Sequence, residues 1–153
     1  MNINFTAFKT PVGILKVTAD GNEITEVGFA AREGCSADKL PSCLKDAKKQ
    51  LLEYFDGKRK SFNLPLKFPA GTGAFRLKVW KEMGRVPYGK TVSYGELSAK
   101  AGNSKAARAA GGACNKNPFM IILPCHRIVG ADGGLTGYAG GLNVKKYLLN
   151  MEK

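Results

Sequence analysis

Nine consecutive residues, Ile121-Ile122-Leu123-Pro124-Cys125-His126-Arg127-Ile128-Val129, restrict the folds open to this chain more than any other segment. Apolar runs flank Pro124-Cys125-His126-Arg127 on both sides, so Cys125 belongs in or near a core. His126 is the only histidine in the sequence, and Arg127 follows it directly. An imidazole or guanidinium buried without partners is strongly unfavourable, so a fold that buries this segment must bring acceptors to it. Cys125 itself has two readings. A buried cysteine is commonly an inert small hydrophobe. Alternatively, His126 and Arg127 lower the thiol pKa from its free value of about 8.5 and make it a nucleophile. Adjacent side chains on an extended segment point apart, so a contact between His126 and Cys125 through a bridging water fits as well as a direct one.

The chain of 153 residues carries 24 Lys+Arg against 12 Asp+Glu, a net charge of +12. Residues 1–70 hold 11 basic and 8 acidic side chains (+3), and residues 71–153 hold 13 and 4 (+9). Such a basic half suits a polyanion, above all nucleic acid, through counterion release; a lysine-rich solubilising surface has the same composition. At 44% apolar the composition is globular. No apolar run nears the ~20 residues that span a bilayer, so no membrane partner is expected. Met1-Asn2-Ile3-Asn4-Phe5 lacks a basic region followed by an apolar one, and the expected compartment is the cytoplasm, or the nucleus in a eukaryote. The four cysteines, Cys35, Cys43, Cys114 and Cys125, include no CxxC pair, and one histidine beside a cysteine cannot seed a His-rich cluster, so no metal is expected. Cys35 and Cys43, on either side of a Pro-containing loop, remain candidates for a disulfide, the minority case inside a cell.

Residues 3–9 and 13–19 alternate as strands, marked by Ile3, Phe5 and Ala7 in the first and Ile14 and Val17 in the second. Asp20-Gly21-Asn22 is a turn, and Ile24, Val27 and Phe29 mark a third strand. Residues 42–55 carry Leu44, Ala47, Leu51, Leu52 and Phe55 at helical spacing. Phe62, Leu64 and Leu66 alternate, and Pro65 confines that strand to a sheet edge. Lys67–Gly73 reads as a linker, which gives two domains, 1–70 and 71–153.

Beyond the linker the pattern changes to short helices. Phe75, Val79, Trp80 and Met83 mark one face of a helix closed by Pro87-Tyr88-Gly89. Ser93 and Glu96 have capping-box spacing and open a helix that Gly102-Asn103 stops. Ser104 is the expected cap of the next helix, Lys105 to about Lys116. Two short helices at a tight glycine turn have the sequence shape of a helix-turn-helix, or of another αα-corner. Within the second, Ala106, Ala107, Ala109, Ala110, Gly111, Gly112 and Ala113 surround one long side chain, Arg108. So slim a helix packs closely on another helix, or enters a shallow or narrow DNA groove.

Pro124-Cys125-His126-Arg127-Ile128-Val129 resembles the active-site motif of the O6-alkylguanine-DNA alkyltransferases, the methylated-DNA–protein-cysteine methyltransferases. The resemblance continues in Val92-Ser93-Tyr94-Gly95-Glu96-Leu97, Ala106-Ala107-Arg108-Ala109 with Gly111-Gly112-Ala113, Asn117-Pro118, and Gly137-Tyr138-Ala139-Gly140-Gly141-Leu142. It implies an α+β chain: a small ribonuclease-H-like N-terminal domain of antiparallel sheet plus helix, with which the element order of residues 1–70 is compatible, and a helical C-terminal domain with a winged helix-turn-helix. It further implies a DNA repair protein that flips O6-alkylguanine out of double-stranded DNA and transfers the alkyl group to its own Cys125. O4-alkylthymine is a further implied substrate, and the implied state is a monomer without cofactor.

By the same resemblance Cys125 is the nucleophile, His126 the base acting through a water, and Glu152 the carboxylate that orients it. Tyr94 is the phenol that donates a proton toward the departing guanine oxygen, and Asn117 ties the recognition helix to the active-site segment. Arg108 fills the gap behind the rotated nucleotide, and Ser93, Tyr94, Lys105, Ala107 and Gly111 complete the DNA-binding set. Cys114, Ile128, Tyr138, Ala139 and Gly140 line the base pocket, where the carbonyls of Cys125 and Ile128 accept from the guanine amine. Ala139 stands where serine is common, and Cys114 where a bulkier apolar side chain can occur. The metal site of some members needs histidines that this sequence lacks.

The implied roles make chemical sense. An atom inside a base pair is reached only by taking the nucleotide out of the stack, at a few kcal/mol. Attack by sulfur needs a thiolate and hence a base within reach. A donor beside the leaving oxygen stabilises charge where it forms. The product is a thioether that no neighbouring group removes, so Cys125 reacts once. Two other readings compete. A non-reacting lesion sensor of the same fold would lack the cysteine that this chain keeps. A transcription regulator would read the major groove, for which an alanine-rich helix offers few side chains.

Overall fold

The computed structural model describes residues 2–153; Met1 lies outside the described residues. The architecture is α+β, in two compact units, one ending at Pro69 and the other beginning at Ala70.

The first unit is a sheet covered by a helix. Strands β1 (Ile3–Thr10), β2 (Gly13–Asp20) and β3 (Glu23–Phe29) form an antiparallel meander. The two-residue β4 (Gly34–Cys35), which has no alternation to betray it, joins the free edge of β1 and gives the order β3-β2-β1-β4. Helix α1 (Ser42–Phe55) contacts β1, β2 and β3 and buries Cys43, Leu44, Ala47, Leu51 and Tyr54. Register pairs Phe8 with Leu15, Thr6 with Val17, and Val17 with Val27, so these buried residues share one face. Lys48 of α1 lies over the Phe8 ring, which identifies that face as the one beneath the helix.

Ile3, Phe5 and Ala7 therefore occupy the opposite face of β1, where Ile3 is 51% exposed and the Lys16 ammonium sits 4.5 Å from the Phe5 ring centroid. Apolar residues on both faces of β1 leave its orientation open in the sequence; the Phe8–Leu15 pair against α1 decides it. Residues 62–66 form no full strand. Leu66 makes one parallel bridge to Ile24, through Ile24 N donating to Pro65 O (2.7 Å) and Lys67 N donating to Ile24 O (2.8 Å). Pro65 accepts but has no N–H to extend the ladder. Cys35 is exposed, Cys43 is buried, and both are free thiols, so no disulfide joins them.

The second unit is built on three mutually contacting helices, α2 (Ala74–Met83), α3 (Tyr94–Lys100) and α4 (Ala107–Asn115). Trp80 on the buried face of α2 donates its indole N–H to Ala113 O of α4 at 2.8 Å. The capping box is complete: Ser93 Oγ accepts from Glu96 N at 3.1 Å, and Glu96 Oε1 accepts from Ser93 N at 3.4 Å. The end of α3 is a Schellman motif, with Gly102 N donating to Ala99 O and Asn103 N to Ser98 O, and Gly102 at φ 100°. Glycine adopts that conformation without steric penalty.

Helix α4 starts later than a Ser104 cap requires. Ala106 holds the cap position without a side-chain bond, and Asn103 Oδ1 accepts from Lys105 N at 3.0 Å. Asn103 O also accepts from Ala106 N at 3.1 Å, so an N–H that a Ser104 cap would have used is already taken. A parallel pair of two-residue strands, β5 (Val92–Ser93) and β6 (Ile128–Val129), joins the start of α3 to the apolar segment. Helix α5 (Leu142–Met151) packs on the 3-10 turn Cys125–Arg127. No helix among the described residues is long and apolar enough to cross a membrane.

Candidate active site

The chain reaches Cys125 through two tight turns. Ile122 N donates to Met120 O at 2.9 Å around Ile121, whose φ is 73°. Positive φ is rare for a β-branched residue, and this is the strained form of the γ-turn. Cys125 N then donates to Leu123 O at 2.8 Å around Pro124 (φ −81°, ψ 68°), the relaxed inverse form. Leu123 O also accepts from Asn117 Nδ2 at 2.8 Å, while Asn117 Oδ1 accepts from Phe119 N at 2.9 Å. Asn117 thereby fixes the chain just after α4 to the residue two before Cys125.

Behind the cysteine, one carboxylate satisfies both polar residues of the apolar segment. Glu152, the C-cap of α5, receives His126 Nε2 at 2.7 Å, Arg127 Nε at 2.8 Å, Arg127 Nη2 at 3.0 Å and Gly89 N at 3.3 Å. Arg127 Nη1 donates to Val86 O at 2.7 Å. The His126, Arg127 and Glu152 side chains are 0%, 7% and 1% exposed. Because a carboxylate only accepts, Nε2 carries the imidazole proton and Nδ1 keeps its lone pair. Nδ1 is buried and has no hydrogen-bond partner among the described residues. Burial holds His126 below its usual 6.5 against the opposing pull of Glu152, which leaves a neutral base with a free lone pair.

The Cys125 thiol is pushed up by burial, while the Asn117 hydrogen bond and the Lys145 charge pull it down. The expectation that His126 and Arg127 activate it in the resting protein is corrected. Arg127 is committed to Glu152 and His126 is neutral, so burial prevails and the thiol keeps its proton. Tyr94, the first residue of α3, donates to Thr136 O at 3.3 Å, and burial raises its phenol. The phenol therefore carries its proton at neutral pH. Gly111 of α4 faces its ring, with room for no more than an ordinary contact at 3.8 Å if it bore a Cβ.

Lys145 is the site residue that sequence reasoning missed. Its buried ammonium donates to Ile128 O at 2.6 Å, Thr136 O at 2.9 Å and Gly137 O at 3.4 Å, three protons for three carbonyls. Burial lowers its pKa, and Cys125 and Cys114 oppose that shift. The signal was available: Lys145 lies three residues before buried Leu148 on the inward face of α5, where a lysine needs acceptors. The Ile128 carbonyl is thus already engaged by Lys145, and the Cys125 carbonyl by Ile128 N; each retains a second lone pair.

The remaining residues fall into three groups. Tyr94, Ala107, Arg108 and Gly111 line one open groove of about 590 Å3 together with Thr136 and Gly137. Arg108 is exposed there, whereas the Ser93 hydroxyl is occupied in capping α3 and Lys105 stands exposed ahead of α4, outside the lining. Tyr138, Ala139 and Gly140 lie on the loop before α5. The Tyr138 hydroxyl is buried without a partner among the described residues, and burial raises its pKa; Ala139 is exposed and Gly140 half-buried. Cys114 is buried in α4 with Sγ 3.5 Å from Met83 Sδ, and burial pushes its thiol up to about 12, which leaves it an apolar contact. Among the described residues no group of three or more His, Cys, Asp or Glu is placed to hold a metal ion.

Comparison with known proteins returns the same family for both units. Residues 3–68 match the 6-O-methylguanine DNA methyltransferase, ribonuclease-like domain, and residues 74–153 match the 6-O-methylguanine DNA methyltransferase, DNA binding domain. The methylated-DNA–protein-cysteine methyltransferase of Methanosarcina acetivorans is 40% identical over 97% of both chains. The constitutive enzyme of that name from Bacillus subtilis is 39% identical over 97% of this chain and 94% of its own. Among solved structures, Mycobacterium tuberculosis O6-methylguanine methyltransferase superposes with a TM-score of 0.85 at 36% identity, covering 98% of this chain and 92% of that one. The M. tuberculosis protein in complex with DNA gives 0.86 at 38% identity, covering 97% and 91%.

Proposed function

This chain belongs to the 6-O-methylguanine DNA methyltransferase family, and on that premise we propose that it repairs DNA by moving the alkyl group of O6-alkylguanine onto the sulfur of Cys125. The slim helix α4 enters a DNA groove, and Arg108 takes the place of the everted nucleotide. That substitution offsets part of the few kcal/mol spent on unstacking. The base lodges against the Tyr138–Gly140 loop and the carbonyls of Cys125 and Ile128.

Proton flow follows from the one lone pair of neutral His126, on Nδ1, and the proton that Nε2 gives to Glu152. The Cys125 proton passes through a water to Nδ1, and Glu152 stabilises the imidazolium that forms. Sulfur attacks the alkyl carbon, the carbon–oxygen bond breaks, and the Tyr94 hydroxyl donates toward the departing guanine. Burial keeps the sulfur protonated until a base fills the site, which guards a nucleophile that is used only once. Asn117 holds the active-site segment in place, and residues 1–70 serve as a structural domain. O4-alkylthymine is a second substrate, and the protein acts as a monomer, in the cytoplasm or in the nucleus of a eukaryote.

The observation that carries this reading is the buried, unpartnered Nδ1 of a neutral His126 whose other nitrogen is held at 2.7 Å by Glu152. A Cys125→Ala protein is expected to bind DNA and accept no label from methyl-labelled duplex. Label appearing on that variant would remove Cys125 as the acceptor.

A further inference from the structure

We propose that the cleft between the C-terminal ends of α2 and α3 grips the DNA backbone outside the stretch occupied by α4; this rests on the DNA-binding reading above. Lys78 and Lys81 of α2, Arg85 just past it, and Lys100 and Gly102 at the end of α3 surround a concave space of about 360 Å3. Lys78 and Lys81, three residues apart, lie on neighbouring turns of one side of α2, and Arg85 follows in the turn after it. The only carboxylate in the cleft, Glu82, is taken by Arg85 at 2.8 Å. Lys78, Lys81 and Lys100 are exposed and have no acidic partner among the described residues. A surface that serves solubility alone interleaves both signs; this one gathers uncompensated cations in a concavity, which focuses positive potential.

The cleft is separate from the groove along α4. Trp80 points from α2 into α4, and at about 100° per residue Lys78 and Lys81 lie on another side of the helix. Its chemistry also narrows the occupant. The N–H groups of Gly102 and Asn103 are consumed by the Schellman bonds, so no backbone nest is present to orient a single phosphate. The free donors are ammonium groups, which act as point charges without the fixed fork of arginine. Unoriented positive charges along an open cleft fit successive phosphodiesters and carry no sequence preference.

The test is the salt dependence of binding to unmodified duplex by the Lys78→Gln/Lys81→Gln/Lys100→Gln protein. Each lost phosphate contact removes about 0.9 from the slope of log K against log salt, and weakens binding about 8-fold at roughly 0.1 M salt by extrapolation from 1 M. The triple variant is expected to lose about 2.7 from the slope and the Lys81→Gln/Lys100→Gln pair about 1.8. Both should still take the alkyl group from free O6-alkylguanine base at the wild-type rate, which shows that the fold and the thiol are intact. A triple-variant slope within one unit of wild type overturns the cleft as a DNA contact while leaving the alkyl-transfer reading in place. A wild-type protein whose DNA binding ignores salt overturns the cleft together with the DNA-binding reading on which it rests.

Discussion

Replacing Glu152 by Gln keeps the shape of the side chain, removes one charge and turns one acceptor into a donor. The native carboxylate accepts from His126 Nε2 and Arg127 Nη2 on one oxygen, and from Arg127 Nε and Gly89 N on the other. Whichever way the new amide turns, its NH2 faces two donors, and the Arg127 guanidinium loses its carboxylate while only 7% exposed. Burial at this level leaves no solvent screening to soften the loss. Removing one partner of a buried ion pair costs about 3–5 kcal/mol, a large share of the roughly 5–15 kcal/mol that stabilises a domain. The shift is read from the urea midpoint at constant m-value. Adding Arg127→Met removes the stranded cation, so the double variant should regain most of the stability. It should not regain alkyl transfer, because His126 still lacks its carboxylate. A single variant that loses less than about 1 kcal/mol, or a double variant that transfers at the wild-type rate, would refute this account of the cluster.

Other outcomes follow from the same geometry. Tyr94→Phe should fold and bind DNA normally while transfer slows by about 10²–10³, the usual loss for one donor to a developing oxyanion; equal single-turnover rates would remove the proton-donor role. Arg108→Ala should slow the reaction in duplex far more than the reaction with free alkylguanine, and an equal effect on both would rule out gap filling. Native His126 lies below the 6.5 of the unfolded chain, so the unfolded state takes up the proton first as pH falls. Its contribution to stability is then complete above 6.5 and lost on acidification toward the depressed native value. Denaturation between about pH 7 and pH 5 should show a steeper decline in wild type than in His126→Asn. Iodoacetamide should label exposed Cys35 before buried Cys43, Cys114 or Cys125; prior labelling of Cys125 would mean that the thiol is already ionised at rest.

Much of this was legible in the sequence because local rules decide it. Helix α1 covers the residues that its periodicity indicates, and the Ser93–Glu96 capping box and the Gly102 stop fix the ends of α3. The need of His126 and Arg127 for an acceptor could be inferred from their apolar surroundings, and Glu152 is that acceptor. What was hidden depends on partners distant in sequence. The inward face of β1 is set by Leu15 and α1, and β4 exists because an edge of β1 was free. The positive φ of Ile121 has no glycine to announce it. The role of Lys145 emerges only when three carbonyls from residues 128–137 converge on one ammonium. The state of the Cys125 thiol turned on how Arg127 divides its charge, which neighbours in sequence do not reveal.

Peptide mass mapping after exposure to duplex DNA bearing O6-methylguanine tests the central claim most directly. One methyl group per molecule, confined to the peptide that contains Cys125 and unchanged when more lesion is supplied, is the predicted result. Methyl found on Cys35, Cys43 or Cys114, or a protein that clears lesions in excess of its own amount, would contradict it.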